Sequence, residues 1–589
     1  MKRKLYQAEK LRDIRTLVKR ASDLYGDRVA YKEIGPKKKV LEYSFIELEK
    51  DMEAFGTALL DLGLEGKHIA LLGENSYSWV ISYLSVINGV GVVIPLDKEL
   101  TYEEIALLIQ KSDTTAIICS STYSDSLEYL LSKCPSLETS IIMGQAPENS
   151  SYNIERDFIL HRHDLLTQGS GDYSYYNMRD LIFYGQQLLA QGNRNYLGAP
   201  IDVEALAEII FTSGTTGANK GVMLSHKNII TVVYGAFHLI KPGAVSISVL
   251  PLSHSYECSC HILGGIYCGL TVCFNDSLKN LKKNLLLFKP NFSIMVPLFI
   301  ESMDKMIWKQ SSEANLTRHL KYGIWFSNLI RKFYIDKRKL FFKPILQAFG
   351  GNLEQIVCGG APLRSELVAT FDSLGINVVN GYGISECAPL VAANCSAWKK
   401  IGSVGYIVPT CKVRIAEPNK DGNGSIQVKG DNVMLGYYKD EESTRMSFTA
   451  DGWFITGDIG YLDKDGFLYI TGRTKNLIIL DNGKNVYPEE LEEYICNNIS
   501  YVKEVIVSTS YDSKEKTINA YIYFHPEDIE AAGYEQLIFK TKEDIKRLNK
   551  HLSPYKRINN IFISHKEFEK TTTKKIKRQL LRKEDFVSA

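Results

Sequence analysis

Apolar runs of strand length alternate with helical patterns through the first three-quarters of this chain, and this alternation restricts its fold more than any other feature. Residues 68–73, 92–95 and 116–119 read as buried strands. Helices between them begin near Ser76 and near Thr101, and Thr101 with Glu104 three residues later forms the pattern of a capping box. Such alternation predicts an α/β fold with layers around largely parallel sheets.

The length of 589 residues is too great for one hydrophobic core, so several domains or subdomains are expected. Near Gly460 the pattern changes to short strands and turns, followed by a final segment of about a hundred residues that has the size of a small domain. Residues 75–96 carry no charge. A buried helix, a glycine break and a buried strand explain this stretch better than a membrane span, because it contains several Ser and Asn residues.

The formal net charge of +2 argues against a nucleic-acid binder that works through a general basic surface. No apolar segment follows the basic N-terminus, and the 11 cysteines are scattered and odd in number. Both features favour a cytoplasmic protein with reduced thiols. A zinc site is one reading of the densest group, but paired Cys-x-x-Cys spacing is missing and buried free thiols are the preferred reading. The group comprises Cys258, Cys260, His261, Cys268 and Cys273.

The most informative segment runs from an apolar strand directly into a loop rich in glycine and hydroxyl residues. Such residues let the backbone approach a polyphosphate and donate hydrogen bonds to it, and a lysine adds positive charge. The spacing differs from a Walker A loop, since two residues separate the glycines and a strand follows. A simple hairpin turn is the alternative. The candidate phosphate-binding residues are Thr212, Ser213, Gly214, Thr215, Thr216, Gly217 and Lys220.

This loop resembles the phosphate-binding signature of the adenylate-forming superfamily, and five further segments resemble that superfamily's motifs in the same order. They are GGAPL at 359–363, NGYGISE at 380–386, GWFITGD at 452–458 with GRTK at 472–475, and KTTTKKIKR at 570–578. Together they span most of the chain from about residue 211 to residue 578. The form of the last motif is most similar to long-chain fatty acyl-CoA synthetases.

The resemblance assigns a role to each motif. The loop with Gly360 and Ala361 and the aromatic segment Gly381, Tyr382, Gly383 and Ser385 would bind adenine. Glu386 and Thr212 would hold Mg²⁺, Asp458 and Arg473 would bind the ribose, and Lys575 would be the catalytic lysine. The resemblance also implies a large region of α/β subdomains, residues 1–473, joined by a hinge near Lys475 to a small, mobile α+β domain, residues 474–589.

Each assigned residue also has a structural alternative. Tyr382 could fill core, Glu386 could cap a helix, and Asp458 could be a turn residue between glycines. The sequence departs from the family's usual pattern at Ser385, which replaces threonine, and in the lysine motif, where Lys574 stands beside Lys575. Either lysine could act, and the register with Arg578 favours Lys575.

The segment PLSHSYE at 251–257 resembles the family's acyl-pocket segment. It carries no aspartate that could bind an α-amino group, which disfavours an amino-acid substrate, and the pattern resembles that of fatty acyl-CoA synthetases. His254 is either a catalytic residue that gates the pocket or a satisfied buried histidine.

The resemblance therefore implies ATP-dependent activation of a medium- to long-chain fatty acid to acyl-AMP, with release of pyrophosphate, followed by transfer to coenzyme A. ATP, Mg²⁺ and coenzyme A are the implied cofactors and co-substrates. Two alternatives stay open: a ligase that loads an acyl carrier protein, and a non-catalytic nucleotide-binding relative. No nucleic-acid partner and no transmembrane span are expected, while peripheral membrane contact stays open.

Overall fold

The computed structural model describes residues 4–144, 174–213, 219–480, 484–510, 517–570, 576–578 and 586–588. In the described residues the helices are α1 Ile14–Tyr25, α2 Phe45–Asp61, α3 Tyr77–Ser85, α4 Tyr102–Lys111, α5 Leu127–Lys133, α6 Met178–Ala190, α7 Asn195–Gly198, α8 His226–Ala236, α9 Gly264–Cys268, α10 Leu281–Phe288, α11 Pro297–Glu313, α12 Thr317–Arg331, α13 Arg338–Phe341, α14 Lys343–Ala348, α15 Ser365–Leu374, α16 Glu441–Met446, α17 Pro488–Asn498, α18 Pro526–Ala532 and α19 Tyr534–Asn549.

The strands are β1 Val29–Ile34, β2 Val40–Ser44, β3 His68–Leu72, β4 Val92–Leu96, β5 Ala116–Ser120, β6 Thr139–Met143, β7 Ser174–Asn177, β8 Leu206–Ser213, β9 Asn219–Ser225, β10 Val245–Ser248, β11 Thr271–Phe274, β12 Phe292–Met295, β13 Gln355–Cys358, β14 Asn377–Gly383, β15 Leu390–Ala393, β16 Gly405–Ile407, β17 Cys411–Ala416, β18 Gly424–Gly430, β19 Gly436–Tyr437, β20 Phe454–Leu462, β21 Phe467–Arg473, β22 Ile478–Ile479, β23 Asn485–Val486, β24 Val502–Ser510, β25 Thr517–Phe524, β26 Asn560–Ser564 and β27 Phe586–Ser588.

The predicted α/β fold is confirmed. Within the described residues, one sheet has thirteen strands in the order β17-β18-β20-β21-β16-β15-β14-β13-β12-β10-β11-β1-β2. A second has the order β19-β9-β8-β4-β3-β5-β6-β7, and a four-stranded sheet, β24-β25-β26-β27, lies in the C-terminal part. The three strands predicted from apolar runs, β3, β4 and β5, are parallel neighbours in the second sheet.

Helix starts follow the sequence signals closely. The Thr101 side chain accepts from the Glu104 N–H and Glu104 bonds back to the Thr101 N–H, so the predicted capping box at α4 is confirmed. The Ser76 side chain caps α3 in the same way, by accepting from Trp79 N–H. These caps satisfy backbone donors that have no partner inside the helix.

Fewer strands pair in parallel than the alternation of strands and helices in the sequence predicts. Strands β10 to β14 are parallel, but β14, β15, β16 and β21 pair antiparallel, as do β17, β18 and β20. Short connections cause this change: Asp463 to Gly466, for example, is a tight turn that joins β20 to β21. Parallel neighbours need a long crossover, which such turns cannot provide.

The uncharged stretch 75–96 is buried and breaks as predicted into α3, a π-helical turn at Val86–Val90 and strand β4. Across the described part of the chain, the helices are too short or too polar to traverse a bilayer. The cysteine group around His261 consists of free thiols, and no cluster of three or more metal-ligating side chains occurs among the described residues. Of these cysteines, Cys258 and Cys273 are buried, and Cys260 and Cys268 are half-buried.

Candidate active site

The candidate site lies where several strands of both large sheets end. Strand β8 ends at Ser213, β13 ends just before Gly359, and β14 ends at Gly383. In α/β folds, ligands bind beyond the carboxyl ends of parallel strands, where loops from neighbouring strands converge. The predicted phosphate, adenine and metal residues thus come from separate strands that end at one crevice.

The phosphate segment is an antiparallel hairpin between β8 and β9. Thr212 lies directly opposite Lys220 in the strand pairing, and Ser213 lies opposite Asn219. Gly214, Thr215, Thr216 and Gly217 fall outside the described residues. A strand, not a helix, follows the loop, as predicted, so the loop differs from a Walker A motif.

Lys220 is positioned by two residues that the sequence analysis did not single out. Its ammonium lies 2.7 Å from the Ser443 hydroxyl and 4.7 Å from the centre of the Tyr437 ring. The cation–ring contact holds the charge without neutralising it. These two contacts hold the Lys220 ammonium at the phosphate hairpin.

Glu386 lies beside the same tyrosine. The Tyr437 hydroxyl donates a hydrogen bond of 2.9 Å to Glu386 Oε1, and Glu386 belongs to a single 3₁₀ turn, Ser385–Cys387. Burial raises the pKa of Tyr437 well above its ordinary value, with the Glu386 charge as a further cause, so Tyr437 stays a donor. A glycine–aromatic pair at 436–437 was the only signal in the sequence that could have drawn attention to this residue.

The predicted adenine and ribose residues form one hydrogen-bonded unit. The Tyr382 hydroxyl donates to Asp458 Oδ2 at 2.6 Å, and Arg473 Nε lies 2.9 Å from Asp458 Oδ1. Asp458 is 3% exposed, and it stands opposite Arg473 in the pairing of β20 and β21. The Asp458 charge raises the pKa of Arg473, and burial raises that of Tyr382 well above its ordinary range.

Glycines keep the backbone close to this unit. Gly360 has φ +83°, in the left-handed region that favours glycine, and a Cβ added at Gly383 would lie 2.1 Å from the Pro389 carbonyl oxygen. Ala361 follows Gly360 in the loop after β13, and Ser385 lies within 3.5 Å of the Ser255 hydroxyl. A side chain at Gly383 would displace backbone that borders the crevice.

A third cation approaches from the C-terminal side of β21. Lys475 lies in the 3₁₀ turn Thr474–Asn476, and its pKa is lowered by desolvation and then by the charges of Lys220 and Arg473. Lys475 therefore lies near enough to Lys220 and to Arg473, which is paired with Asp458, to be repelled by both cations. Such a cluster is suited to a polyphosphate, because the bound anion relieves their mutual repulsion.

The donor set fits Mg²⁺ held together with a nucleotide. Mg²⁺ is commonly bound by one or two carboxylates plus phosphate oxygens of a substrate, and Glu386 supplies one carboxylate beside the phosphate hairpin. Thr212 is half-buried at the end of β8 and lies on the same hairpin. The described residues contain no larger cluster of carboxylates, so an all-protein metal cage is absent from the described part of the chain.

A mostly apolar cavity opens beside the adenine segment. Gly359, Gly360 and Gly383 line one end, together with Tyr382. The walls come from α8, α9, β12 and the π-helical segment Tyr256–Leu263, and include Phe237, Ile240, Cys260, Leu270 and Phe292. If an apolar acid bound with its carboxylate at the glycine end, its tail would lie among these side chains.

One polar pair is built into the cavity wall. His261 lines the cavity, and its Nδ1 lies 2.7 Å from Glu257 Oε1, while its Nε2 lies 2.9 Å from the Ser246 hydroxyl. Both side chains of the pair are completely buried. Since both ring nitrogens have partners, His261 presents carbon atoms to the cavity.

His254 contacts an acidic side chain that follows β4. Its Nε2 is 3.3 Å from Asp97 Oδ2, at the end of β4, and it is not among the residues that line the cavity. This contact does not test whether His254 gates the pocket, so its catalytic role stays a prediction.

The lysine motif is described only at its end. Lys574 and Lys575 fall outside the described residues. Arg578 makes a short ion pair with Glu492 and lies 3.7 Å from Glu489, both on α17, so the end of the motif is attached to the C-terminal part of the chain. Lys570 pairs with Ile576 across an isolated bridge.

Comparison with known families gives two matches along the chain. The description "AMP-binding enzyme" matches residues 18–438, and "AMP-binding enzyme C-terminal domain" matches residues 475–585. The first match alone covers more than half of the chain and includes the phosphate hairpin, Tyr382 and Glu386.

Individual relatives agree with the family match. A long-chain-fatty-acid–CoA ligase, FadD15, of Mycobacterium bovis is 28% identical over 515 residues, covering 84% of this chain and 79% of that protein. A chloroplastic long-chain-fatty-acid–[acyl-carrier-protein] ligase of Arabidopsis thaliana, AEE15, is 26% identical over 564 residues, covering 84% and 74%.

Solved structures share the fold. The ATP-bound MatB of Rhodopseudomonas palustris superposes with a TM-score of 0.72 at 22% identity, over 97% of this chain and 99% of that one. The anthranilate CoA ligase AuaEII, in complex with anthranoyl-AMP, has a TM-score of 0.73 at 18% identity, over 97% and 96%. The chain therefore belongs to the AMP-binding enzyme family, the adenylate-forming superfamily of ligases, and lies near its fatty acyl-CoA synthetases.

Proposed function

We propose that this protein activates a medium- to long-chain fatty acid as acyl-AMP, with release of pyrophosphate, and then transfers the acyl group to coenzyme A. The observation that carries the proposal is the mostly apolar cavity that opens at Gly359, Gly360 and Gly383, next to Tyr382. An acid bound there would have its carboxylate at the nucleotide crevice and its tail among apolar side chains, whose burial favours binding.

The first step joins two anions, since the carboxylate oxygen attacks the α-phosphorus of ATP and pyrophosphate leaves. Positive charge and fixed positions are therefore needed more than a covalent nucleophile. Lys220 and Arg473 supply fixed cations, and Lys575 is proposed to supply another at the reacting oxygens. Tyr382 would stack on adenine, while Asp458 would accept hydrogen bonds from the ribose hydroxyls.

Glu386 and Thr212 would hold Mg²⁺ against the phosphates. The bound ion would neutralise charge that develops on the phosphate oxygens. Tyr437 keeps the Glu386 carboxylate oriented through its hydroxyl, and thereby restricts where the ion can sit.

In the second step the thiol sulfur of coenzyme A attacks the acyl carbonyl, a thioester forms, and AMP leaves. We propose that residues 474–589 form a small mobile domain that turns about a hinge at Lys475, moving Lys575 away from the adenylate. Support comes from the position of Lys475 in an isolated 3₁₀ turn directly after β21. Short turns between elements commonly absorb such rotations.

Measuring pyrophosphate release over a panel of acids, with and without coenzyme A, tests this function. Acids from acetate to stearate and an aromatic acid form the panel. We expect activity to rise with alkyl chain length and acyl-CoA to accumulate only when coenzyme A is present. Activity confined to acetate or to the aromatic acid would overturn the fatty-acid assignment, and no pyrophosphate with any acid would favour a non-catalytic relative.

A second acceptor is supported by one observation, the similarity to the Arabidopsis ligase named for an acyl carrier protein. Replacing coenzyme A by a purified acyl carrier protein in the same assay distinguishes the two. Thioester formed only on the carrier protein would assign that acceptor instead of coenzyme A.

A further inference from the structure

Helix α12 presents its main apolar face to solvent. That face follows the spacing i, i+3, i+4, i+7, which in a globular protein marks the side turned to the core. Here the opposite side packs on the protein through the buried Ser327 and the half-buried Ile324. The exposed face comprises Tyr322 (65% exposed), Trp325 (57%), Phe326 (39%) and Leu329 (37%).

The exposed rings form a continuous patch. The Tyr322 ring lies 5.5 Å from that of Trp325 and 6.3 Å from that of Phe326, measured between ring centres. Phe326 in turn lies 6.0 Å from Phe341 of α13, which is also exposed. Scattered exposed apolar residues are normal, but a contiguous aromatic patch indicates an interaction surface.

The loop between α12 and α13 extends the patch. Phe333 is 70% exposed, Ile335 is 48% exposed and Tyr334 is completely exposed. Tyr334 has φ +62°, a left-handed conformation that is uncommon for an aromatic residue. The chain thus carries three consecutive apolar or aromatic side chains at a turn where none of them is buried.

The same segment is strongly basic. Residues 317–343 contain eight Lys and Arg residues and a single acidic residue, Asp336, although the whole chain has a net charge of only +2. Arg331 and Arg338 form ion pairs with acidic neighbours, whereas Lys321, Lys332 and Lys337 are exposed beside the aromatic rings. Aromatic and cationic side chains that alternate on one surface match the interface of an anionic bilayer.

We propose that this aromatic–basic surface, formed by α12, the loop 332–337 and α13, docks the protein on the surface of an anionic lipid bilayer. Trp325, Phe333 and Tyr334 would enter the headgroup region, and the lysines would contact lipid phosphates. A second copy of the chain fits less well, because a symmetric contact would bring like charges together.

Sedimentation of the full-length protein with vesicles tests the proposal. One set of vesicles is pure phosphatidylcholine and the other contains phosphatidylcholine and phosphatidylglycerol in equal molar parts. We expect binding to the anionic vesicles that weakens with added salt. The combined variant Trp325→Ser, Phe333→Ser, Tyr334→Ser should bind them at least about tenfold more weakly, and so should Lys332→Glu with Lys337→Glu.

A matched control replaces exposed apolar residues elsewhere. Phe539→Ser with Met446→Ser removes side chains that are 69% and 70% exposed, and binding should be unchanged. Thermal unfolding checks that every variant is folded. Equal binding of the aromatic variant and the original protein, or equal binding to neutral and anionic vesicles, would overturn the proposal. So would self-association in sedimentation velocity, or binding to an acidic carrier protein, that the aromatic variant abolishes while vesicle binding persists.

Discussion

At the scale of single residues, the candidate site consists of side chains that come from separate motifs and contact one another. Tyr382, Asp458 and Arg473 come from three motifs and share two hydrogen-bonded contacts on one carboxylate. Glu386 and Lys220 likewise meet through Tyr437, which belongs to none of the motifs. A substitution at one member therefore changes the orientation of its partners as well as its own contact.

Replacing Asp458 by Asn should weaken ATP binding by roughly tenfold to a hundredfold, because the charged hydrogen bonds to Arg473 and to a ribose are lost. Tyr382→Phe removes only a hydroxyl and is the matched control, with a smaller loss expected. Titration calorimetry with ATP measures both. A larger loss for Tyr382→Phe than for Asp458→Asn would show that the hydroxyl, not the carboxylate, dominates.

Glu386→Gln should lose most adenylation activity and recover part of it at raised Mg²⁺, since an amide oxygen binds Mg²⁺ more weakly than a carboxylate. Tyr437→Phe leaves the Glu386 carboxylate in place but removes the hydrogen bond that orients it, so a smaller shift in Mg²⁺ dependence is expected. Pyrophosphate release against Mg²⁺ concentration measures both effects. An unchanged Mg²⁺ dependence in Glu386→Gln would remove the metal role from this residue.

At the scale of elements, strand β8 ends at the phosphate segment and also carries a buried glutamate. Glu208 pairs with Val93 of β4 in the middle of the second sheet and is 1% exposed. Burial raises the pKa of its carboxyl to about 8, only partly offset by the neighbouring Tyr83 hydroxyl. The proton stays on Glu208 in the folded protein near neutral pH, because an unpaired charge inside the sheet is costly.

This acid makes the folding stability depend on pH. An unfolded Glu ionises with a pKa of about 4.3, whereas the folded Glu208 ionises only near pH 8. The protonated Glu208 therefore contributes to the free energy of unfolding at low pH, and this contribution is lost as the pH rises to 8. Glu208→Gln cannot ionise and should gain up to about 3 kcal/mol relative to the original protein between pH 5 and pH 8. Denaturant unfolding at several pH values measures this, with the exposed Glu128→Gln as control. A pH-independent difference would contradict the buried proton.

The turn Thr474–Asn476 is the element on which the proposed hinge depends. Lys475→Pro fixes φ at 475 and disfavours the helical region at Thr474, so it should restrict rotation. If the adenylating arrangement is retained, pyrophosphate release in the first turnover survives and thioester synthesis collapses. Both half-reactions are measured separately. Lys475→Ala is the control, because it removes the charge near Lys220 but keeps the backbone free. Equal losses in both steps would remove the hinge role.

At the scale of the whole molecule, Lys575, the proposed catalytic residue, belongs to the C-terminal part of the chain. Arg578, three residues after Lys575, is attached to Glu492 of α17. The motif is therefore tied to the C-terminal part of the chain, and any motion of this part relative to β21 would move the lysine with it. The first family match ends at residue 438 and the second begins at residue 475. Strands β20 and β21 lie in the segment between the two matches.

Lys575→Ala should abolish acyl-AMP formation while leaving ATP binding and thioester formation from supplied acyl-AMP nearly unchanged. The reason is that the lysine's charge is needed only while two anions react. Lys574→Ala is the adjacent control and should stay active. Single-turnover assays of each half-reaction decide between them, and the opposite pattern would transfer the catalytic role to Lys574.

Much of the fold could be predicted from local signals. The apolar runs of β3, β4 and β5 and the capping box of α4 are short-range patterns, and the structure has them at the predicted places. The antiparallel half of the large sheet was not predicted, because strand direction depends on the length of connections and on distant partners. The apolar face of α12 is exposed, although its spacing is typical of a face that packs on the core. Periodicity indicates that a helix is amphipathic, but it does not indicate which surface covers the apolar face.

The sequence by itself determined the family, since five motifs in a fixed order specify a nucleotide site in a way that no single loop does. Only the tertiary structure decided how those motifs meet: that Asp458 lies between Tyr382 and Arg473, that Tyr437 joins Glu386 to Lys220, and that His261 lines the cavity while His254 contacts Asp97. These contacts join residues far apart in the chain. They depend on strand order and packing, which residue spacing along a sequence does not encode.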